Sequence, residues 1–173
     1  ATRIFMTPDN SVERLRREAL AQHKQILVPT YGLKRGFVHL DGALLSRSDV
    51  RHAASLDGME HYGTTIGPGD LRQFGSVELI VTGATAVTTD GRHIGGGQRY
   101  LALEWGMLEQ LGLVSTDVPV VAVVHDCQVV DELVEASHDC LIDFIACNSR
   151  LLSVWGNDTA SNADTSTHLR RVV

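Results

Sequence analysis

Short apolar runs alternate with helix-period stripes along most of this chain, the pattern of strands joined by helices. Val12, Leu15, Ala19 and Leu20 form a helical stripe, and Asn10 followed by Glu13 has the form of a capping box. A first helix is therefore predicted there, with Arg14, Arg16, Arg17 and Glu18 on its solvated side. Gln25 to Val28 reads as a strand that Pro29 ends, and Gly36 to Leu40 as a second. Residues 46–58 suggest another helix, and the Gly-, Pro- and Thr-rich stretch 61–75 a loop. Val77 to Thr82 is the clearest strand. After the glycines at 95, 96 and 97 comes a helix over 98–111, with Leu101, Trp105, Leu108 and Leu111 on one side and Gly112 as its stop. Pro119 to Val124 and Leu141 to Cys147 are near-continuous apolar runs, as expected of strands covered on both faces. The order predicts an α/β fold of three α/β/α layers around a mostly parallel sheet.

Length and composition narrow the class. A chain of 173 residues with 43% hydrophobic content suits one domain, placed at 8–155, followed by a polar segment over 156–173 expected to be a flexible tail. The formal net charge of −6 and 5% aromatic content argue against general nucleic-acid binding. Three cysteines without a CxxC pair argue against a disulfide framework or a structural zinc site. No apolar run approaches the roughly 20 residues that span a bilayer, so a cytoplasmic protein acting on a small molecule is expected.

Four segments carry candidate chemistry. Asp90-Gly91-Arg92-His93-Ile94-Gly95 leads through Gly97 and Arg99 to Tyr100 between a strand and a helix, where glycine N–H groups and a helix N-terminus favour an anion. Arg92 and Arg99 could supply full charges to it. His125-Asp126-Cys127-Gln128 and Asp131 follow a buried strand, where open α/β sheets place ligands. His125 suits proton transfer near neutral pH, with Asp126 or Asp131 to orient it or to act separately; a strand-end cap is the plain structural alternative. His138, Asp139 and Asp143 form a third polar group. Lys34, Arg35, His61 and Tyr62 are the remaining candidates for a substrate rim.

Three ordered stretches, Ile26 to Gly36, Leu79 to Gly95 and Pro119 to Asp143, resemble the 5-formyltetrahydrofolate cyclo-ligase (methenyltetrahydrofolate synthetase) family. The likeness is to its divergent branch of synthetase-domain-containing proteins and covers roughly residues 8–154. It implies a three-layer fold and an enzyme that uses ATP and Mg²⁺ to close 5-formyltetrahydrofolate to the 5,10-methenyl form. The family's phosphate loop, close to L-G-R-G-G-G-Y-Y-D, falls on Ile94-Gly95-Gly96-Gly97-Gln98-Arg99-Tyr100-Leu101-Ala102. Gly95, Gly97 and Tyr100 match. Gly96 stands where the family has a basic residue, Arg99 where it has a glycine, and Ala102 where its Asp helps to hold the metal.

Those exchanges remove a hard oxygen ligand and crowd a phosphate, so they weaken the expectation of ATP- and Mg²⁺-driven turnover. Glu104 matches an acidic residue of the divergent branch but lies about 200° around the helix from position 102. A second reading is therefore an ATP-independent cyclase, isomerase or hydratase/dehydratase that uses His125, Asp126 or Glu104 as acid and base. A third is a non-catalytic binding or regulatory protein.

Overall fold

The computed structural model describes residues 1–30, 35–95, 100–133 and 142–154. Its frame is an eight-stranded sheet. β1 (Arg3–Met6) lies between β2 (Gln25–Pro29) and β5 (Leu79–Gly83), and β5 pairs in turn with β8 (Val120–Val123) and β8 with β10 (Phe144–Ala146). All four of these pairings are parallel. Antiparallel strands close both margins: β3 (Phe37–Asp41) and β4 (Thr64–Ile66) beyond β2, and β11 (Leu151–Ser153) beyond β10. A small second sheet joins β6 (Ala86–Thr88), β7 (His93–Ile94) and β9 (Val129–Val130). The predicted mostly parallel α/β architecture is the one observed.

Alternation along the strands divides the core. Phe5, Leu27, Ile80, Ala122 and Ile145 face one side, where they meet Leu101, Trp105 and Leu108 of α4 (Tyr100–Gln110). Ile4, Met6, Ile26, Val28 and Val81 face the other, where they meet Ala19 and Leu20 of α1 (Glu13–Ala21). Two short helices, α2 (Val50–Ala53) and α3 (Met59–Tyr62), complete that layer. Side chains such as Phe5, Ile26 and Ile80 have no exposed surface, and burying each contributes roughly 1.5–3 kcal/mol.

The crossover from β1 to β2 runs through α1 on one face, and that from β5 to β8 runs through α4 on the other. The chain thus changes direction between β1 and β5. In open α/β sheets the crevice beyond the carboxyl ends of such a strand pair is where ligands bind.

Several expectations are corrected. β1 is a central strand that was not predicted; four residues carry too little periodicity to announce it. Arg16 is fully buried and Leu15 is 40% exposed. The buried stripe is Val12, Arg16, Ala19 and Leu20, because the guanidinium reaches buried carbonyls that its charge can satisfy. The capping box does not form: a 3₁₀ turn over Asn10–Val12 precedes α1, and neither start has a side-chain cap. The helix expected over 46–58 is only the one-turn α2, and stretch 61–75 contains β4 and a 3₁₀ turn, Leu71–Phe74. Gly112, at φ +70°, follows α4 as expected of a helix stop.

Candidate active site at the β1–β5 crevice

The crevice is built by the residues just past β1 and β5. Thr7 continues β1 and donates its backbone N–H to the Val81 carbonyl at 3.0 Å, which locks the two strand ends together. The Thr7 hydroxyl donates to Asp9 Oδ2 at 2.5 Å, and the Gly83 N–H donates to the same oxygen at 3.1 Å. Thr82 turns its hydroxyl onto the Gly83 carbonyl at 2.9 Å. Gly83 is required for space: a Cβ there would lie 2.5 Å from Ser11 Oγ and 3.0 Å from Asp9 Cγ. The loop carrying Asp9 therefore rests directly on the end of β5.

Arg16 fixes this loop from beneath. Its Nε donates to the Ala54 carbonyl at 2.7 Å and one terminal nitrogen donates to the Thr7 carbonyl at 3.3 Å. Burial lowers its proton affinity, and the nearby Glu13 and Asp9 charges work the other way. A buried guanidinium held by two carbonyls costs desolvation but ties the loop to one position.

Glu104 comes from α4 on the opposite face. It is only 3% exposed, in line with Leu101, Trp105 and Leu108, which anchor the helix in the core. Its Oε2 is buried without a hydrogen-bond partner. Burial, with the Asp9 charge adding to it, raises its pKa from the ordinary 4.5 to about 8. Glu104 is thus a carboxylic acid that carries its proton at neutral pH, the protonation state a general acid needs. The hydroxyl hydrogens of Thr7 and Thr82 are donated within the crevice, to Asp9 and to the Gly83 carbonyl.

The other candidates lie elsewhere. His125 is exposed at the end of β8 and caps a 3₁₀ turn, Asp126–Gln128: its Nδ1 accepts from the Cys127 N–H at 3.3 Å. That places the proton of a neutral ring on Nε2. The Gln128 side chain completes the box by accepting from the His125 N–H at 2.6 Å, and it donates to the Ala84 carbonyl at 2.7 Å. Asp126 accepts from Ser149 Oγ at 2.6 Å, and this bond holds its carboxyl below the usual range, so it stays ionised. Asp131 is exposed. Arg35 pairs with Glu60 at 2.6 Å beside His61, whose ring packs edge-on to Tyr62 at 5.0 Å. This rim belongs to the β3–β4 margin of the sheet, two strands from β1.

In the glycine loop, Arg92 is paired with Asp90 at 2.9 Å across the β6–β7 hairpin, which occupies its charge locally. A Cβ on Gly95 would meet only His93 Cδ2, at 4.0 Å, so packing does not demand a glycine there. Tyr100 opens α4 and is half-buried. Lys34, Gly97, Arg99, His138 and Asp139 lie outside the described residues. Sequence reasoning singled out Glu104 but missed Thr7, Asp9, Arg16 and Gly83. The available signal was Thr7-Pro8-Asp9 after the apolar tripeptide Ile4-Phe5-Met6, which is too short to stand out.

Among the described residues no group of three His, Cys, Asp or Glu side chains could hold a metal ion. Ala102 offers a methyl group where the family has a carboxylate.

Comparison with known proteins agrees with this architecture. The model of the 5-formyltetrahydrofolate cyclo-ligase family matches residues 1–148. Methenyltetrahydrofolate synthase domain-containing proteins are similar over most of the chain: the human protein is 38% identical over 157 residues, 87% of this chain and 39% of that protein. The zebrafish (Danio rerio) protein is 34% identical, over 86% of this chain and 39% of its own length. The chain thus spans about two fifths of these relatives. The solved structure of Aquifex aeolicus 5,10-methenyltetrahydrofolate synthetase superposes with a TM-score of 0.55, covering 98% of this chain and 77% of that one at 15% identity. That match speaks to the fold alone.

Proposed function

The chain belongs to the 5-formyltetrahydrofolate cyclo-ligase family, and on that footing we propose that it is an enzyme interconverting formyl and ring-closed forms of a folate-type small molecule by acid–base catalysis at Glu104, without the phosphoryl transfer implied by the parent family. The observation that carries this reading is the buried Glu104 carboxyl, with one oxygen unpartnered and its proton retained to about pH 8.

The chemistry follows from that group. In ring closure the attacking nitrogen forms a C–N bond to the formyl carbon, and its proton passes to the formyl oxygen, giving a hydroxyl. Glu104 donates a second proton to this hydroxyl, the C–O bond breaks and water leaves. A methenyl cation and a Glu104 carboxylate remain. Net, one proton is consumed and one water released; hydration of the ring is the reverse. The cation forms beside two carboxylates, Glu104 and Asp9, so the crevice stabilises charge where it develops.

The reading is tested by following methenyl absorbance with 5-formyltetrahydrofolate, or its loss with the ring-closed compound, in nucleotide-free buffer. Turnover by the unaltered protein and its loss in E104Q support the proposal. Turnover that requires ATP and Mg²⁺ overturns it in favour of the parent activity.

A further inference from the structure

We propose that the flank of α1 and the open face of the sheet beside it form a docking surface for one amphipathic α-helix with basic residues along its margin, supplied by a partner polypeptide. This surface lies in the layer opposite α4 and does not depend on the acid–base reading of Glu104.

Strand alternation creates the surface. Ile80, Val120, Ala122 and Ile145 point into the α4 layer, so Leu79, Val81, Val121, Val123, Phe144 and Ala146 point to the other side. On that side α1, α2 and α3 pack over β1, β2 and β3, and Val81 is buried with them. Beyond Val81 the cover stops. Leu79, Val121, Val123, Phe144 and Ala146 are only half-buried, and Leu151 of the edge strand, paired with Ala146, is 67% exposed. The register sets Val81, Val121 and Phe144 in one row and Val123, Ala146 and Leu151 in the next. A groove of about 190 Å³ runs along the near margin, floored by Ile4, Met6, Leu79 and Val81 and walled by Leu15 and Glu18 of α1 and by Gln22 just past it. Leu15 is left 40% exposed on that wall.

Size and charge select the occupant. The patch runs across β5, β8, β10 and β11 and along the length of β5; at about 4.8 Å between strands and about 3.3 Å per residue it measures roughly 14 by 13 Å. That is roughly 200 Å² of plan area, well short of the ~800 Å² per partner of a stable dimer. It does match one helix of about 10 Å diameter and about three turns, lying beside α1 at the usual interaxial distance of about 8–10 Å. The apolar stripe of such a helix meets the valines and Phe144. Its margin meets Glu18, the acid on the groove wall, in a chain of formal net charge −6. Both favour basic side chains there, and the same net charge works against an anionic membrane.

The test is fluorescence anisotropy of a labelled amphipathic peptide, LKKLLKLLKKLLKL, titrated with the full chain, and of its acidic counterpart, LEELLELLEELLEL. The basic peptide should bind saturably, and the acidic one about fivefold or more weakly. L15S and L151S, at exposed positions that ordinarily tolerate substitution, should each weaken binding by about fivefold or more. L103S, exposed on α4 in the opposite layer, should leave it within about twofold. Leu151→Thr replaces L151S if the latter does not fold. No binding, equal binding by L15S, L151S and L103S, or a preference for the acidic peptide overturns the proposal. So does each result that names another occupant. A dimer in analytical ultracentrifugation that L151S dissociates would make it a second copy. Peptide binding that appears only in R170E/R171E would make it the chain's own residues 155–173. Sedimentation with phosphatidylcholine–phosphatidylserine vesicles that L151S abolishes would make it a lipid surface.

Discussion

Replacing Glu104 with Gln should make the protein more stable at neutral pH and remove a slope from its stability–pH curve. The folded-state pKa is raised to about 8 from the ordinary 4.5. Between those values the folded state binds a proton that the unfolded state has released, so stability falls as pH rises, by about 1.4 kcal/mol per pH unit. Below about 4.5 both states are protonated, and above about 8 both are ionised; the contribution is flat outside the window. At pH 7 the loss accumulated from 4.5 is roughly 3 kcal/mol, a large share of a typical domain's 5–15 kcal/mol. Gln imitates the neutral carboxyl in shape without titrating. Urea unfolding of both proteins at pH 5, 6, 7 and 8 gives the difference directly. E104Q should gain on the unaltered protein steadily across the series and be more stable by a few kcal/mol at pH 7. Two curves that stay parallel from pH 5 to 8 would refute the claim that Glu104 is held protonated by its surroundings.

Two further substitutions separate the crevice from the other candidate region. His125→Ala removes a cap acceptor from the Cys127 N–H and should cost about 0.5–2 kcal/mol in urea unfolding, with turnover retained; a folded H125A protein without turnover would move the chemistry to the end of β8. Gly83→Ala places a methyl group 2.5 Å from Ser11 Oγ and 3.0 Å from Asp9 Cγ. It should cost about 1–3 kcal/mol and displace the Asp9 loop, visible as lost activity at a pH where Glu104 is still protonated; a fully active, equally stable G83A would show that the loop does not rest on this glycine.

Much of the fold was legible because its signals are local. The run Pro119 to Val124 announced β8, and the spacing of Leu101, Trp105 and Leu108 announced the buried face of α4. β1 was not legible, since Arg3 followed by three apolar residues looks like any short apolar run until its neighbours are known. Arg16 misled for a different reason: arginine normally marks the wet side of a helix. Whether a buried guanidinium is tolerated depends on carbonyls of Thr7 and Ala54, the latter 38 residues away in sequence. The candidate site was half-visible in the same way. Glu104 could be singled out through the family resemblance, as an acid two positions past Ala102, but its distinguishing property is desolvation by the core, which no local pattern encodes. His125 and Asp126 stood out because they adjoin at a strand end; in the folded chain His125 caps a 3₁₀ turn and Asp126 accepts from Ser149.

The central claim is that proton transfer by Glu104 suffices for interconversion. It is met most directly by adding the unaltered protein and E104Q, separately, to 5,10-methenyltetrahydrofolate in nucleotide-free buffer at pH 7.5 and recording the decay of its absorbance above the uncatalysed rate. The account predicts acceleration by the unaltered protein and a loss of about 10²-fold or more in E104Q, the usual worth of a positioned acid–base group. Equal rates for the two proteins, or acceleration only after ATP and Mg²⁺ are supplied, would contradict it.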